Sequence, residues 1–275
     1  MCSQAFVRYS CARLTSPGLY PAMSLRRLRQ LSLANTDLFR IDFDEGVAPV
    51  LAEVGGGLHS LELDRFRHVD ISLIGRHCPQ LRKLGLSHII HYSQLLTLAE
   101  VRRNQRKDNR LMRLYDLIPQ IIPQDQFTQL EDVVLENQYG SCIVSNILRQ
   151  LLLPATGLQS LSLQLVDSLD DVVWAQLTSA NPLQQLVTLT IDQCHSISGD
   201  VLLDLVTEDN DLQLLQISSC RFVTAKHREA FKKIIAREHY DLSMRILPFM
   251  GFTPLPRPPF EDEIEELDVI ENLHV

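Results

Sequence analysis

Apolar and polar positions along this chain fall into one short phrase that keeps returning: a leucine, two variable residues, a second apolar residue, one variable residue and a third apolar residue. It stands as Leu28-x-x-Leu31-x-Leu33, Leu58-x-x-Leu61-x-Leu63 and Leu81-x-x-Leu84-x-Leu86 in the first third. It resumes as Leu130-x-x-Val133-x-Leu135, Leu158-x-x-Leu161-x-Leu163, Leu186-x-x-Leu189-x-Ile191-x-x-Cys194 and Leu212-x-x-Leu215-x-Ile217-x-x-Cys220. Within each phrase the alternation has period two, which predicts a short strand, and the residues after it predict a helix. Ile71, Leu73 and Ile74 follow one strand; Ile143, Val144, Ile147, Leu148 and Leu151 follow another. Val172, Val173 and Leu177, then Val201, Leu202, Leu205 and Val206, repeat the pattern. One strand and one helix cannot cover their own apolar faces, so successive units must stack. The prediction is an α/β solenoid, an arc with a parallel sheet inside and helices outside.

The spacing carries a second message. Central residues Leu31, Leu61, Leu84, Val133, Leu161, Leu189 and Leu215 recur every 23 to 30 residues, except for a step of 49 from Leu84 to Val133. That step holds an insertion at about 90–128, basic in its middle: Arg102, Arg103, Arg106, Lys107, Arg110 and Arg113 are opposed only by Asp108. Leu95, Leu96, Leu98 and Val101, then Leu111, Leu114, Leu117 and Ile118, predict helices on either side, ending near Pro119 and Pro123. Such a run serves as a nuclear localisation patch, a phosphate or nucleic-acid contact, an intramolecular partner for the acidic tail, or a solvated loop. The last reading is preferred, because no aromatic residues interleave with the charges.

Composition agrees with a leucine repeat: 45% of residues are hydrophobic, only 6% aromatic, and 47 are leucine. A net charge of −8 argues against a whole-surface nucleic-acid binder and against adhesion to anionic membranes. No apolar run is long enough to span a bilayer. The six cysteines contain no CxxC pair, and Cys194 and Cys220 share one repeat position, so they read as packed free thiols of a reducing compartment. Residues 1–24, with Pro17, Gly18 and Pro21, read as a disordered or truncated segment ahead of the repeats. Arg8 and Arg13, with no acidic residue before Asp37, bear a weak likeness to an organelle transit peptide.

The repeat units resemble the cysteine-containing and ribonuclease-inhibitor-like leucine-rich repeats of F-box leucine-rich-repeat proteins. The residues carrying the resemblance are His77-Cys78-Pro79-Gln80-Leu81-Arg82-Lys83-Leu84-Gly85-Leu86 and Leu189-Thr190-Ile191-Asp192-Gln193-Cys194-His195-Ser196-Ile197-Ser198, and it extends over roughly residues 25–246 outside the insertion. It implies a horseshoe whose concave sheet recognises a protein, and, more specifically, the substrate receptor of a cullin-based (SCF-type) ubiquitin ligase. Residues 1–24 carry no F-box pattern. The domain reading is therefore a leading segment at 1–24, a repeat domain at 25–250, and a tail at 251–275.

Residues between the buried leucines face the inner surface of the predicted sheet. Among them are Glu62, Asp64, Lys83, Asp132, Glu136, Ser162, Gln164, Thr190, Asp192 and Gln216. Five carboxylates against one lysine predict a basic partner segment, or simply the polar inner face of an acidic protein.

Thr224 begins a predicted helix through Ala230, Phe231, Ile234 and Ile235, and Leu242, Met244 and Ile246 predict a closing strand. Beyond Gly251, Pro254, Pro256, Pro258 and Pro259 lead into Glu261, Asp262, Glu263, Glu265, Glu266, Asp268 and Glu271, with Ile264, Leu267, Ile270 and Leu273 at every third position. No catalytic constellation stands out: Gly55-Gly56-Gly57 reads as a turn, His88 and His91 as a surface pair, and Trp174 as helix packing. The sequence thus predicts a non-enzyme without cofactor or metal, an interaction scaffold of cytoplasm or nucleus. A structural or assembly factor, mitochondrial in one version, and a nucleic-acid-associated protein are the alternatives.

Overall fold

A computed structural model describes residues 15–35, 41–89, 126–137, 143, 145–207, 210–238 and 242–247, together with the backbone of residues 5–10. The basic run of the insertion and the acidic tail lie outside the described residues. Within them, nine strands form one all-parallel sheet whose spatial order is the order of the chain. The strands are β1 (Ala5–Ser10), β2 (Leu28–Ala34), β3 (Ser60–Asp64), β4 (Lys83–Ser87), β5 (Asp132–Glu136), β6 (Ser160–Gln164), β7 (Thr188–Asp192), β8 (Leu214–Ser218) and β9 (Ser243–Leu247). Six α-helices alternate with them: α1 (Ala48–Val54), α2 (Ile71–His77), α3 (Ser145–Leu152), α4 (Asp171–Ala180), α5 (Gly199–Thr207) and α6 (Ala225–Glu238). The architecture is α/β and repeating.

Pleating explains the two faces. Leu31, Leu61, Leu84, Val133, Leu161, Leu189 and Leu215 align across the sheet, as do Leu33, Leu63, Leu86, Leu135, Leu163, Ile191 and Ile217. All of them are buried, and they join one continuous core with helix residues such as Ile74, Leu148, Leu151, Trp174, Leu177, Leu202 and Leu205. The alternate strand positions are mostly half-exposed, so helices cover one face and the other stays open. Val172, expected to pack inward, is 64% exposed on α4. The helices span only 7–14 residues, too short to persist alone, and owe their stability to this shared core. Asp70 caps α2 by accepting from Leu73 N at 3.0 Å, and Asp170 caps α4 by accepting from Val173 N at 2.8 Å.

A regular backbone device ends the strands. Arg65, His88, Leu165, Gln193 and Ser219 directly follow β3, β4, β6, β7 and β8, and each has a φ between 53° and 60°. The left-handed conformation costs a residue with a side chain roughly 1 kcal/mol. It aims each N–H at the last carbonyl of the next strand: Arg65 donates to Ser87, His88 to Glu136, Leu165 to Asp192, Gln193 to Ser218 and Ser219 to Leu247, at 2.7–3.3 Å. Three residues after the last buried strand position, Phe66, Ile89, Val166, Cys194 and Cys220 turn into the core. Asn181 Nδ2 donates to Leu152 O and Ala155 O at 2.7 and 3.0 Å, tying one unit to the one before it.

Two sequence expectations change. Within residues 1–24, the described residues do not stand outside the repeats as a disordered segment: Ala5–Ser10 pairs with β2, Val7 opposite Leu31 and Tyr9 opposite Leu33. A 3-10 segment, Ser16–Ser24, buries Leu19 and Ala22. Parallel pairing requires backbone and alternation, so an edge strand forms without the leucine phrase. At the far end of the insertion, Phe127 is buried. A Cβ on Gly75 of α2 would lie 2.5 Å from Gln126 Oε1 and 2.9 Å from Phe127 Cε2. Finally, His88 is half-buried between carboxylates of the neighbouring strands, not a fully exposed surface residue.

Candidate interaction surface

Because neighbouring strands are in register, the outward residues form rows about 4.8 Å apart from strand to strand. One row runs Ser60, Lys83, Asp132, Ser160, Thr188, Leu214; the next Ser32, Glu62, Gly85, Val134, Ser162, Thr190, Gln216; the third Asp64, Ser87, Glu136, Gln164, Asp192, Ser218. The structure therefore brings Glu62, Asp64, Lys83, Asp132 and Glu136 together on three adjacent strands. Ser162, Gln164, Thr190 and Gln216 form a neutral field beside them.

Within the charged part, Lys83 Nζ lies 3.8 Å from Glu62 Oε1 and 3.4 Å from Asp132 Oδ2, bridging the strands on either side. The side chain of Glu62 leans over Gly85, where an added Cβ would sit 3.2 Å from its Cγ. At the other end of β4, His88 is held by its left-handed backbone so that its ring lies between two carboxylates. Nδ1 is 2.6 Å from Asp64 Oδ1 and Nε2 is 3.6 Å from Glu136 Oε1. The ring is only 16% exposed. Ser87 Oγ donates to Glu136 Oε2 at 3.4 Å, and Arg65 Nε stands 3.9 Å from Asp64 Oδ2. Sequence reasoning missed His88 because its partners come from strands on both sides. The αL position after each strand is the signal that finds it.

Asp192 stands apart on β7, accepting from Ser218 Oγ at 2.6 Å and from Gln193 Nε2 at 3.2 Å. The pairs on the face are partly exposed, with Lys83 at 42%, so each contributes about 0–1 kcal/mol to stability. Their larger effect is to hold four carboxylates at fixed points. Lys83 on β4 and Arg65 after β3 stand among four acids, which leaves the face negative toward an approaching ligand.

The cysteines do different work. Cys194 Sγ donates to Leu163 O at 3.7 Å, and Cys220 Sγ to Ile191 O at 3.7 Å and Ser218 O at 3.3 Å. Burial pushes the thiols of Cys78 and Cys194 up to about 12 and that of Cys220 to about 11, so they keep their protons at neutral pH. Among the described residues no group of three or more His, Cys, Asp or Glu side chains is placed to hold a metal ion, and no helix is long and apolar enough to cross a membrane. Arg102, Arg103, Arg106, Lys107, Arg110 and Arg113 lie outside the described residues. Compared with known proteins, the chain matches no family model and no curated protein.

Proposed function

We propose that the chain is a leucine-rich-repeat horseshoe acting as a non-enzymatic scaffold, whose open sheet face binds a basic segment of a partner protein. The observation that supports this reading best is the placement of Glu62 and Asp64 on β3 and of Asp132 and Glu136 on β5, flanking β4 and contacted by its Lys83 and by His88, on a face that helices leave uncovered. Rigid strands hold the side chains in place before binding, so a partner meets them with little ordering cost. A cationic, extended segment is the complementary ligand, and Ser162, Gln164, Thr190 and Gln216 offer hydrogen bonds farther along it. Asp192 marks the far end.

By the repeat resemblance, a more specific version makes this face the substrate-recognition surface of a cullin-based ubiquitin ligase. Binding of lysine- and arginine-rich peptides at two ionic strengths tests the general reading, with the variant E62K/D64K/E136K alongside. The expected result is salt-sensitive binding, weakened at least about tenfold by the reversal. Equal binding by the variant would remove this face as the docking surface. Co-purification of adaptor and cullin subunits with the tagged chain tests the ligase version separately.

A further inference from the structure

The last unit of the solenoid differs from the others in packing and in charge. Met244 and Ile246 of β9 lie opposite Leu215 and Ile217 of β8. The β8 residues are 0% exposed, whereas Met244 and Ile246 are only half-buried, as are Leu242, Ile234 and Ile235. Each inner strand has its apolar edge covered by the following one, and among the described residues nothing follows β9. The closing strand expected to seal the arc is itself an edge that needs sealing. Beside it, α6 carries Lys226, Arg228, Lys232, Lys233 and Arg237, with Arg245 exposed on β9, in a chain of net charge −8. Glu229 takes Lys232 at 3.0 Å and Arg228 at 3.8 Å, which lowers the Glu229 carboxyl below its ordinary value.

The chain leaves this edge at Leu247 and continues to Val275. We propose that residues 261–275 dock in cis on this end of the sheet, with Ile264, Leu267, Ile270 and Leu273 covering the half-buried residues of β9 and α6. Glu261, Asp262, Glu263, Glu265, Glu266, Asp268 and Glu271 then face the lysines of α6. Charge complementarity selects this occupant, because the most acidic stretch of the chain begins a short distance from the most basic helix among the described residues. Reach permits it: residues 248–260 span up to about 40 Å at the 3.1 Å per residue of an extended proline-rich segment. The 14 residues of α6 extend only about 21 Å. Tethering also supplies an effective concentration of order millimolar, which favours the chain's own tail over a second copy's.

Zero-length carbodiimide cross-linking of the full-length protein, mixed from unlabelled and nitrogen-15-labelled copies, reads the contact directly. The expected result is linkage of Lys226, Lys232 or Lys233 to carboxylates at 261–271 within one isotope, reduced by salt. Linkage only between isotopes assigns the site to a second copy and overturns docking in cis; so does the absence of any tail-to-α6 linkage. The full-length variant L267S/I270S leaves the described core unaltered, and its hydrogen exchange is read at Ser243–Leu247 and at β6. Exchange in β9 is expected to rise about tenfold with β6 unchanged, and an unaltered β9 overturns the proposal.

Discussion

The open face divides at the boundary between β5 and β6. On β3 to β5 it is charged and cross-braced; on β6 to β8 the same positions hold Ser160, Ser162, Gln164, Thr188, Thr190 and Gln216, with Asp192 the one carboxylate. Below both halves the architecture is the same, with two buried apolar side chains per strand and a left-handed residue at most strand ends. The comparison teaches that the inward positions and the backbone ladder define the repeating parallel sheet, and that the outward positions are free to carry chemistry. Specificity can therefore change from strand to strand without altering the scaffold.

The largest expected effect tests the shared scaffold. Leu63→Ala in β3 and Leu163→Ala in β6 each remove a side chain at most 1% exposed and should each cost about 2–5 kcal/mol in urea unfolding. Losses that differ by several kcal/mol would show that the halves do not share one core. A second measurement separates them by their thiols, since Cys194 and Cys220 both belong to the second half. Their folded values lie above the ordinary thiol value of 9.0. Between about pH 9 and the folded values, the unfolded chain releases protons that the native chain retains, so stability falls as pH rises. The fall approaches about 1.4 kcal/mol per thiol per pH unit. The variant C194A/C220A should show a flatter alkaline limb than the unaltered chain; an identical slope would mean that these thiols do not titrate on unfolding.

The smallest effect probes the open face itself. Lys83→Met leaves Glu62 and Asp132 without their shared cation and should cost at most about 1 kcal/mol, a loss that shrinks in high salt. Thr190→Val, in the neutral half, should stay within about 0.5 kcal/mol at any ionic strength. If both respond equally to salt, the electrical division of the face is wrong.

Much of this was legible in the leucine phrase. β2 to β8 begin where the phrase predicts, because the inward leucines are determined by burial and by nothing farther away. β1 was not legible: its Phe6-Val7-Arg8-Tyr9 stretch alternates without the phrase, and its place depends on pairing with β2. The carboxylate positions followed from the pleat, but His88 did not, since its meaning depends on Asp64 and Glu136, which meet it only when three strands align. Likewise, Asp171 accepts from Ser198 N at 2.7 Å, a tie between units that no local pattern announces.

Arg82 and Glu131 are separated by 49 residues, yet their side chains meet at 3.0 Å and β4 pairs with β5 as closely in register as any other neighbours. Two adjacent rungs thus hold the ends of this long excursion at a fixed separation. Loop-closure entropy grows only logarithmically with length, about 0.6 kcal/mol per doubling. The junction is consequently a natural graft point, where sequence can be exchanged or shortened while the rungs on either side keep their alignment.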